Sequence, residues 1–363
     1  MMKKILVAMS GGVDSSVAAA LLKEKGYQIA GAYMKNWINE PNIIGNCPWE
    51  EDIEDARAVA KQLDIDFDVV NLIKEYQERI VKYLLDGYAQ GVTPNPDVMC
   101  NREMKFGVFM DYALENGFDA VATGHYSNIR LNKDGTSDIL EGADTNKDQS
   151  YFLALLQQKQ CAHAAFPVGH LLKSQVRQEA QRFNLPNHHK KDSQGICFIG
   201  EVKMSDFLKA YLPESHGDIV NLQGQVLGQH NGLHYYTLGQ RKGIRIPSNT
   251  PNKAYVVVEK RLQSNELVIA LEEPDTPLLY ASRAILSHLS FTNKDIKSTC
   301  KLQARPRYRA PRCDIRYQPL DKSQAEIVFD KPQRALAPGQ ICALYEDTTL
   351  IGGGIFKEIY HSN

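Results

Sequence analysis

No stretch of this 363-residue chain is long and apolar enough to span a bilayer. Met1 to Met9 carries two lysines, yet its apolar run is too short for a signal peptide and Ser10-Gly11-Gly12 interrupts it. No charge of one sign dominates. The 42 Lys and Arg stand against 43 Asp and Glu, so the net charge of -1 excludes a grip on nucleic acid by global positive charge and leaves room for a local basic face. Cysteine is sparse and scattered: seven residues, at 47, 100, 161, 197, 300, 313 and 342, with no C-x-x-C pair. That set excludes a dense secreted disulfide framework and offers no resident metal or cluster site of ordinary spacing. Cytoplasmic residence with reduced thiols is the expectation. Internal repeats and low-complexity tracts are missing as well. What is there, 43% hydrophobic and 23% charged residues, fits a folded globular chain, and the length calls for two or three domains.

The first part alternates strand-like and helix-like segments. Lys4 to Met9, Gln28 to Tyr33, Asp66 to Val70 and Asp119 to Thr123 are short apolar runs. Between and after them, Val13 to Lys25, Trp49 to Leu63, Lys74 to Ala89, Lys105 to Asn116 and Lys173 to Asn184 carry helical spacing. Gly26 suits a helix C-terminus. Such repeats imply a parallel sheet covered on both faces. Beyond about Pro213 the pattern becomes β-rich, as in Tyr255-Val256-Val257-Val258 and Gln340 to Tyr345. The expected architecture is α/β: an N-terminal parallel-sheet domain over 1–205, a small β-rich central domain over 206–278, and a C-terminal β-barrel over 279–363.

Ser10-Gly11-Gly12-Val13-Asp14-Ser15-Ser16 follows the first strand and opens the first helix. Gly11 and Gly12 permit tight curvature, so successive N–H groups and the helix dipole can face a phosphate. Ser10, Ser15 and Ser16 add hydroxyls, and Asp14 could hold Mg²⁺ against the phosphates. The spacing is neither a Walker A loop nor a G-x-G-x-x-G fingerprint. It resembles the loop of the ATP-pyrophosphatase superfamily, whose adenine-nucleotide-hydrolase-like members split ATP between the α- and β-phosphates and leave AMP on the substrate.

Two cysteines stand in suggestive surroundings. Cys100, in Asn95-Pro96-Asp97-Val98-Met99-Cys100-Asn101, is expected in a turn before a helix, where the dipole, Arg102 and Lys105 favour a thiolate. Asp97 could carry a proton. Cys197 lies in the Gly-flanked Ser193-Gln194-Gly195-Ile196-Cys197-Phe198-Ile199. Local context alone leaves both thiols open between reactive group and buried filler.

With Ala122-Thr123-Gly124-His125-Tyr126, Lys147 to Leu153, Tyr236 to Gly243 and Ala337-Pro338-Gly339-Gln340, these motifs follow one another along nearly the whole chain. Together they resemble the bacterial tRNA-specific 2-thiouridylase family. The resemblance implies ATP-dependent 2-thiolation of a tRNA wobble uridine. It implies that Ala8, Met9, Ser10, Gly11, Gly12, Val13, Asp14, Ser15, Met34 and Gly124 bind ATP, with Mg²⁺, and that Asn95, Pro96 and Asp97 meet the target uracil. Cys197 would carry a persulfide received from a sulfur carrier or cysteine desulfurase, and Cys100 would be its catalytic partner in a transient disulfide. His125, Lys147, Asp148, Gln149, Arg307, Tyr308 and Gln340 would contact tRNA.

Between Lys301 and Arg316, five arginines and one lysine face one acid, Asp314. The alternation Arg305, Arg307, Arg309 would set guanidinium groups on one face of a strand, with Tyr308 and Tyr317 interleaved. A solvated barrel face is the plainer alternative. Two other functions share the loop: an amide-forming ligase acting on a small molecule, and an RNA-binding protein that uses ATP as a switch. Replacing Asp14 with Ala is expected to abolish tRNA-dependent pyrophosphate release, and undiminished release would remove Asp14 from the phosphate site.

Overall fold

The computed structural model describes residues 3–38, 49–191, 204–248, 250 and 253–362. The first strand, β1 (Lys4–Ala8), runs into α1 (Val13–Glu24), and Gly26 adopts a φ of 82° just past the helix end. Then come β2 (Gln28–Lys35), α2 (Trp49–Gln62) and β3 (Phe67–Asn71). A helical run follows as α3 (Ile73–Tyr76), a π-helical stretch Gln77–Val81 and α4 (Lys82–Ala89). A second run joins α5 (Pro96–Met99), the π-helical Cys100–Val108 and α6 (Phe109–Glu115). Next are β4 (Ala120–Ala122), the hairpin β5 (Ser127–Leu131) and β6 (Ser137–Glu141), α7 (Gln158–Cys161), β7 (Ala164–Ala165) and α8 (Lys173–Arg182).

Among the described residues, the first sheet has the order β3-β2-β1-β4-β7 and its pairings are parallel. Side chains alternate across β1. Ile5, Val7 and Met9 pack with Val17, Ala56, Val59, Val176 and Ala180 of α1, α2 and α8 on one face. Leu6 and Ala8 share the other face with Met34, Tyr76, Leu84, Val98, Cys100 and Phe109. A sheet buried on both sides needs apolar residues at successive positions, which is why these strands read as unbroken apolar runs.

The second run starts earlier than the spacing around Lys105 predicts. Asn95 caps it, its Oδ1 accepting from the Val98 amide at 3.2 Å, and Pro96 occupies the first helical position, where its missing N–H costs nothing. Cys100 therefore sits inside the helical run rather than in a preceding turn.

After α9 (Met204–Tyr211), a small sheet is built from β8 (Gly217–Val220), β9 (Val226–His230), β10 (Tyr255–Arg261) and β11 (Glu266–Leu271), in the order β10-β11-β8-β9. The remainder is a barrel of six strands: β12 (Tyr280–Phe291), β13 (Cys300–Arg305), β14 (Cys313–Pro319), β15 (Ala325–Arg334), β16 (Ile341–Glu346) and β17 (Thr349–His361). The order β12-β15-β14-β13-β16-β17 closes through antiparallel pairing of β12 with β17. The hairpin β5–β6 continues this sheet, with Leu140 and Ile139 opposite Thr349 and Leu350. No described helix is long and apolar enough to cross a membrane.

Arg305, at the end of β13, fastens the barrel to the first domain. Its guanidinium donates to Asp148 Oδ2 at 2.5 Å and Glu141 Oε1 at 2.6 Å, while Asp148 also accepts from Gly142 N and from Ser150 N and Oγ. This corrects the expected basic face. The strand stops at Arg305, which points inward onto two acids, and Arg307 and Arg309 lie in the following loop. Removing one partner of a buried pair leaves the others uncompensated, so Arg305→Ala is expected to cost about 3 kcal/mol. Chemical denaturation would read this, and an unchanged midpoint would show that the join rests elsewhere.

Candidate nucleotide and thiol site

From β1 the chain proceeds to β2 on one side, while β4 flanks β1 on the other. The connections diverge there, and open α/β sheets bind ligands outside the strand ends at such a switch point. Two loops meet at that place: Met9 to Gly12 after β1, and Thr123 to His125 after β4. Gly11 has a φ of 75°, and a Cβ added to it would lie 2.4 Å from the Asp52 carbonyl oxygen. A Cβ on Gly124 would lie 2.7 Å from the Ser15 amide nitrogen. Glycine is required at both positions by backbone meeting backbone. Ala8, Met9 and Met34 are buried beneath the loop, with Met9 N donating to Ala32 O at 2.8 Å.

The serine hydroxyls shape the loop itself. Ser15 Oγ and Ser16 Oγ donate to the Gly12 carbonyl at 3.1 and 2.9 Å, and Ser10 N donates to Ser15 Oγ at 3.2 Å. Asn187 clasps the loop from behind, donating through Nδ2 to Gly11 O at 2.8 Å and Ser16 Oγ at 2.9 Å. Gly12 is the N-cap of α1 and offers no side-chain cap. The first amides of a helix lack intrahelical carbonyl partners, so this end suits an anion.

Asp14, in the first turn of α1, is not open to solvent alone. Lys173 Nζ donates to its two carboxylate oxygens at 2.8 and 2.9 Å, and Tyr126 OH donates to Oδ1 at 2.8 Å. Gln149 fixes Tyr126 in turn: its Oε1 accepts from Tyr126 N at 3.0 Å, and its own N–H donates to Tyr126 O at 2.9 Å. Nothing in the local sequence marks Lys173 or Tyr126 as a partner of Asp14. Lys173 opened an otherwise ordinary amphipathic helix, and Tyr126 stood in a motif whose histidine drew the assignment.

Asn95, Pro96 and Asp97 are half-buried, and Cys100 is fully buried in the core that also holds Ala8 and Met34. Asn101 Nδ2 donates to Asp97 O at 3.1 Å. Cys197 lies outside the described residues, as does the segment expected to carry it.

The residues expected to touch RNA divide into two sets. Lys147 is half-buried, Arg307 is exposed, and Tyr308 is half-buried with its ring 4.3 Å from that of Phe152. His125 and Asp148 are interior. The His125 ring packs near Phe106 and Phe166, and its Nδ1 is 2.6 Å from Thr123 Oγ1. Burial, with Lys105 adding to it, holds its pKa well below 6.5. The His125 and Asp148 side chains are both buried in this conformation, at 7% and 4% exposure. Gln340 is occupied within the protein: its Nε2 donates to Thr93 O at 2.8 Å and lies 3.4 Å from Pro94 O.

The sheet order defines a parallel α/β domain with a glycine loop at its switch point, followed by two β domains. Residues 3–201 match the family model described as the tRNA methyl transferase HUP domain, 205–271 the tRNA methyl transferase PRC-barrel domain, and 282–356 the aminomethyltransferase beta-barrel domain. Over 358 residues the chain is 54% identical to the tRNA-specific 2-thiouridylase MnmA of Akkermansia muciniphila, covering 99% of each chain. It is 46% identical over 356 residues to the protein of that name from Neisseria meningitidis, covering 97% of this chain and 95% of that one. With the MnmA 1 protein of Geobacillus kaustophilus it shares 44% identity over 358 residues, 98% and 96% of the two chains. The chain belongs to the tRNA-specific 2-thiouridylase family.

The buried neutral His125 predicts an acid-side loss of stability. Below pH 6.5 the unfolded histidine takes up a proton that the folded one refuses, so this contribution is whole above 6.5 and shrinks as pH falls toward the folded pKa. Denaturation across that range should show a flatter pH dependence for His125→Gln than for the parent. Equal slopes would show that His125 titrates alike in both states.

Proposed function

We propose that the protein replaces the C2 oxygen of a tRNA uridine, at the wobble position, with sulfur, using ATP to activate that oxygen. The observation that carries this reading is the shared setting of the phosphate loop and the Cys100 helix. Ala8, at the end of the strand that leads into the loop, shares one core with Met34, Val98 and Cys100, in a chain whose full-length relatives carry the 2-thiouridylase name. We assign ATP binding to Ala8 through Ser15, Met34 and Gly124, and the target base to Asn95, Pro96 and Asp97. The catalytic domain spans 1–205, the central domain 206–278 and the barrel 279–363.

A uracil carbonyl oxygen is a poor leaving group. Its C2 oxygen attacks the α-phosphorus of ATP, the bond from that phosphorus to the bridging oxygen breaks, and pyrophosphate departs. The amides at the start of α1 meet the phosphate charge. Asp97 carries the proton lost from the base. The terminal sulfur of a Cys197 persulfide then attacks C2, and AMP leaves with the former carbonyl oxygen. Cys100 attacks the Cys197 sulfur, the persulfide S–S bond breaks, and its electrons form the thiocarbonyl. The two cysteines are left as a disulfide, which a sulfur carrier or cysteine desulfurase with a thiol reductant returns to the persulfide state.

Mg²⁺ fits this site as a companion of the nucleotide. Among the described residues no group of three or more His, Cys, Asp or Glu could hold a metal unaided, whereas one carboxylate beside substrate phosphates is a usual Mg²⁺ arrangement. Asp14 is that carboxylate, and the ion's chemistry there is neutralisation of phosphate charge. Lys147, Arg307 and Tyr308 meet the tRNA body; Asp148, Gln149, His125 and Gln340 support that contact from within.

With ATP, a persulfide donor and tRNA, Cys197→Ser is expected to form AMP-tRNA but no 2-thiouridine. Mass spectrometry of digested nucleosides distinguishes sulfur exchange from a methyl addition. A Cys197→Ser protein that still makes 2-thiouridine would remove the persulfide from that residue.

A further inference from the structure

The geometry points to Lys173 as the group that receives the pyrophosphate end of ATP, exchanging Asp14 for the β- and γ-phosphates when nucleotide enters. This rests on the ATP reading above and adds a residue to it.

Lys173 Nζ bridges both oxygens of Asp14 at 2.8 and 2.9 Å, in the first turn of the helix whose start forms the anion cradle. Its main chain is fixed. The Lys173 amide donates to Asp144 Oδ2 at 2.9 Å, Leu172 N donates to Gln175 Oε1 at 2.8 Å, and α8 packs on α1 through Val176 and Ala180. Only the side chain needs to move. The pair is open on the carboxylate side, with 33% of the Asp14 side chain exposed against 16% for Lys173.

Asp14 would not be stranded by that exchange. Tyr126 OH holds Oδ1, and the carboxylate that Lys173 releases would be able to hold Mg²⁺ entering with the nucleotide. The neighbouring cation is less available: Lys190 is tied to both Asp52 at 2.8 Å and Asp55 at 2.5 Å. An ammonium on a flexible four-carbon stem is a point charge suited to phosphate oxygens whose positions shift as a bond breaks. During adenylation the electrons of the broken bond to the α-phosphorus pass to pyrophosphate, and Lys173 stands where that added charge collects.

Lys173 would act on the phosphates beyond the first, so ATP and AMP should respond differently. In calorimetric binding to the full chain without tRNA, Lys173→Met is expected to weaken ATP about tenfold or more, the worth of a charge-assisted contact, and leave AMP within about twofold. Lys173→Arg should restore most of the ATP affinity. Equal weakening of ATP and AMP would overturn the inference and leave Lys173 as a brace for Asp14, and unchanged ATP binding would overturn it outright. Should Lys173→Met fail to fold, Lys173→Gln keeps a donor for Asp14 and gives the same comparison. A parent protein that binds neither nucleotide would overturn the ATP reading itself, and the inference with it.

Discussion

The short segment Thr93-Pro94 is held from two sides by other parts of the chain, and the motif proposed to meet the target base, Asn95-Pro96-Asp97, hangs from it. Thr93 N donates to Pro338 O at 2.9 Å, and Gln340 Nε2 returns a bond to Thr93 O at 2.8 Å. Thr93 Oγ1 donates to Thr237 Oγ1 of the central domain at 3.3 Å. Gly339, with a φ of 89°, has no room for a side chain because a Cβ would meet the Thr93 backbone at 3.0 Å. One residue later the Asn95 cap starts the helix that carries Asp97 and Cys100. Three domains thus fix the entry of one helix, and under the proposed function the direction of that helix fixes where the base and thiol chemistry takes place.

The same economy appears at Asp148 and Gln149. Asp148 reaches the barrel through Arg305, and Gln149 reaches Tyr126, which bonds to Asp14. Adjacent residues therefore tie the barrel and the phosphate loop to one short stretch of chain. Under the proposed function, RNA bound along Lys147, Arg307 and Tyr308 would load a segment already bonded to the nucleotide site. Arg334 adds a second tie between the β domains, donating to Glu272 Oε1 at 2.7 Å while Arg241 approaches the other oxygen of that carboxylate.

Much of the nucleotide domain was legible because its rules are local. The apolar run Lys4 to Met9 can only be a buried strand beside so many helical spacings, and Gly11 and Gly12 mark the turn between strand and helix. Less local features escaped. The helix start at Pro96 was missed because π-helical turns through Cys100 to Val108 disturb the period that a helix is read from. The hairpin β5–β6 pairs locally, but its place in the barrel sheet escaped because it rests on β17, far along the chain. Arg305 read as part of a solvent-facing stripe, since alternation gives the spacing of a strand but not where the strand stops. Lys173 reaches Asp14 only through the packing of α8 on α1, which no motif in either segment announces.

Under the proposed function, ATP activates the uracil C2 oxygen itself before sulfur replaces it. A tRNA carrying a heavy-oxygen label at the C2 carbonyl of its wobble uridine tests this most directly, through mass spectrometry of the AMP released during thiolation. The label is expected in AMP, one labelled oxygen for each 2-thiouridine formed. Label released to water, or AMP without it while 2-thiouridine accumulates, would contradict it.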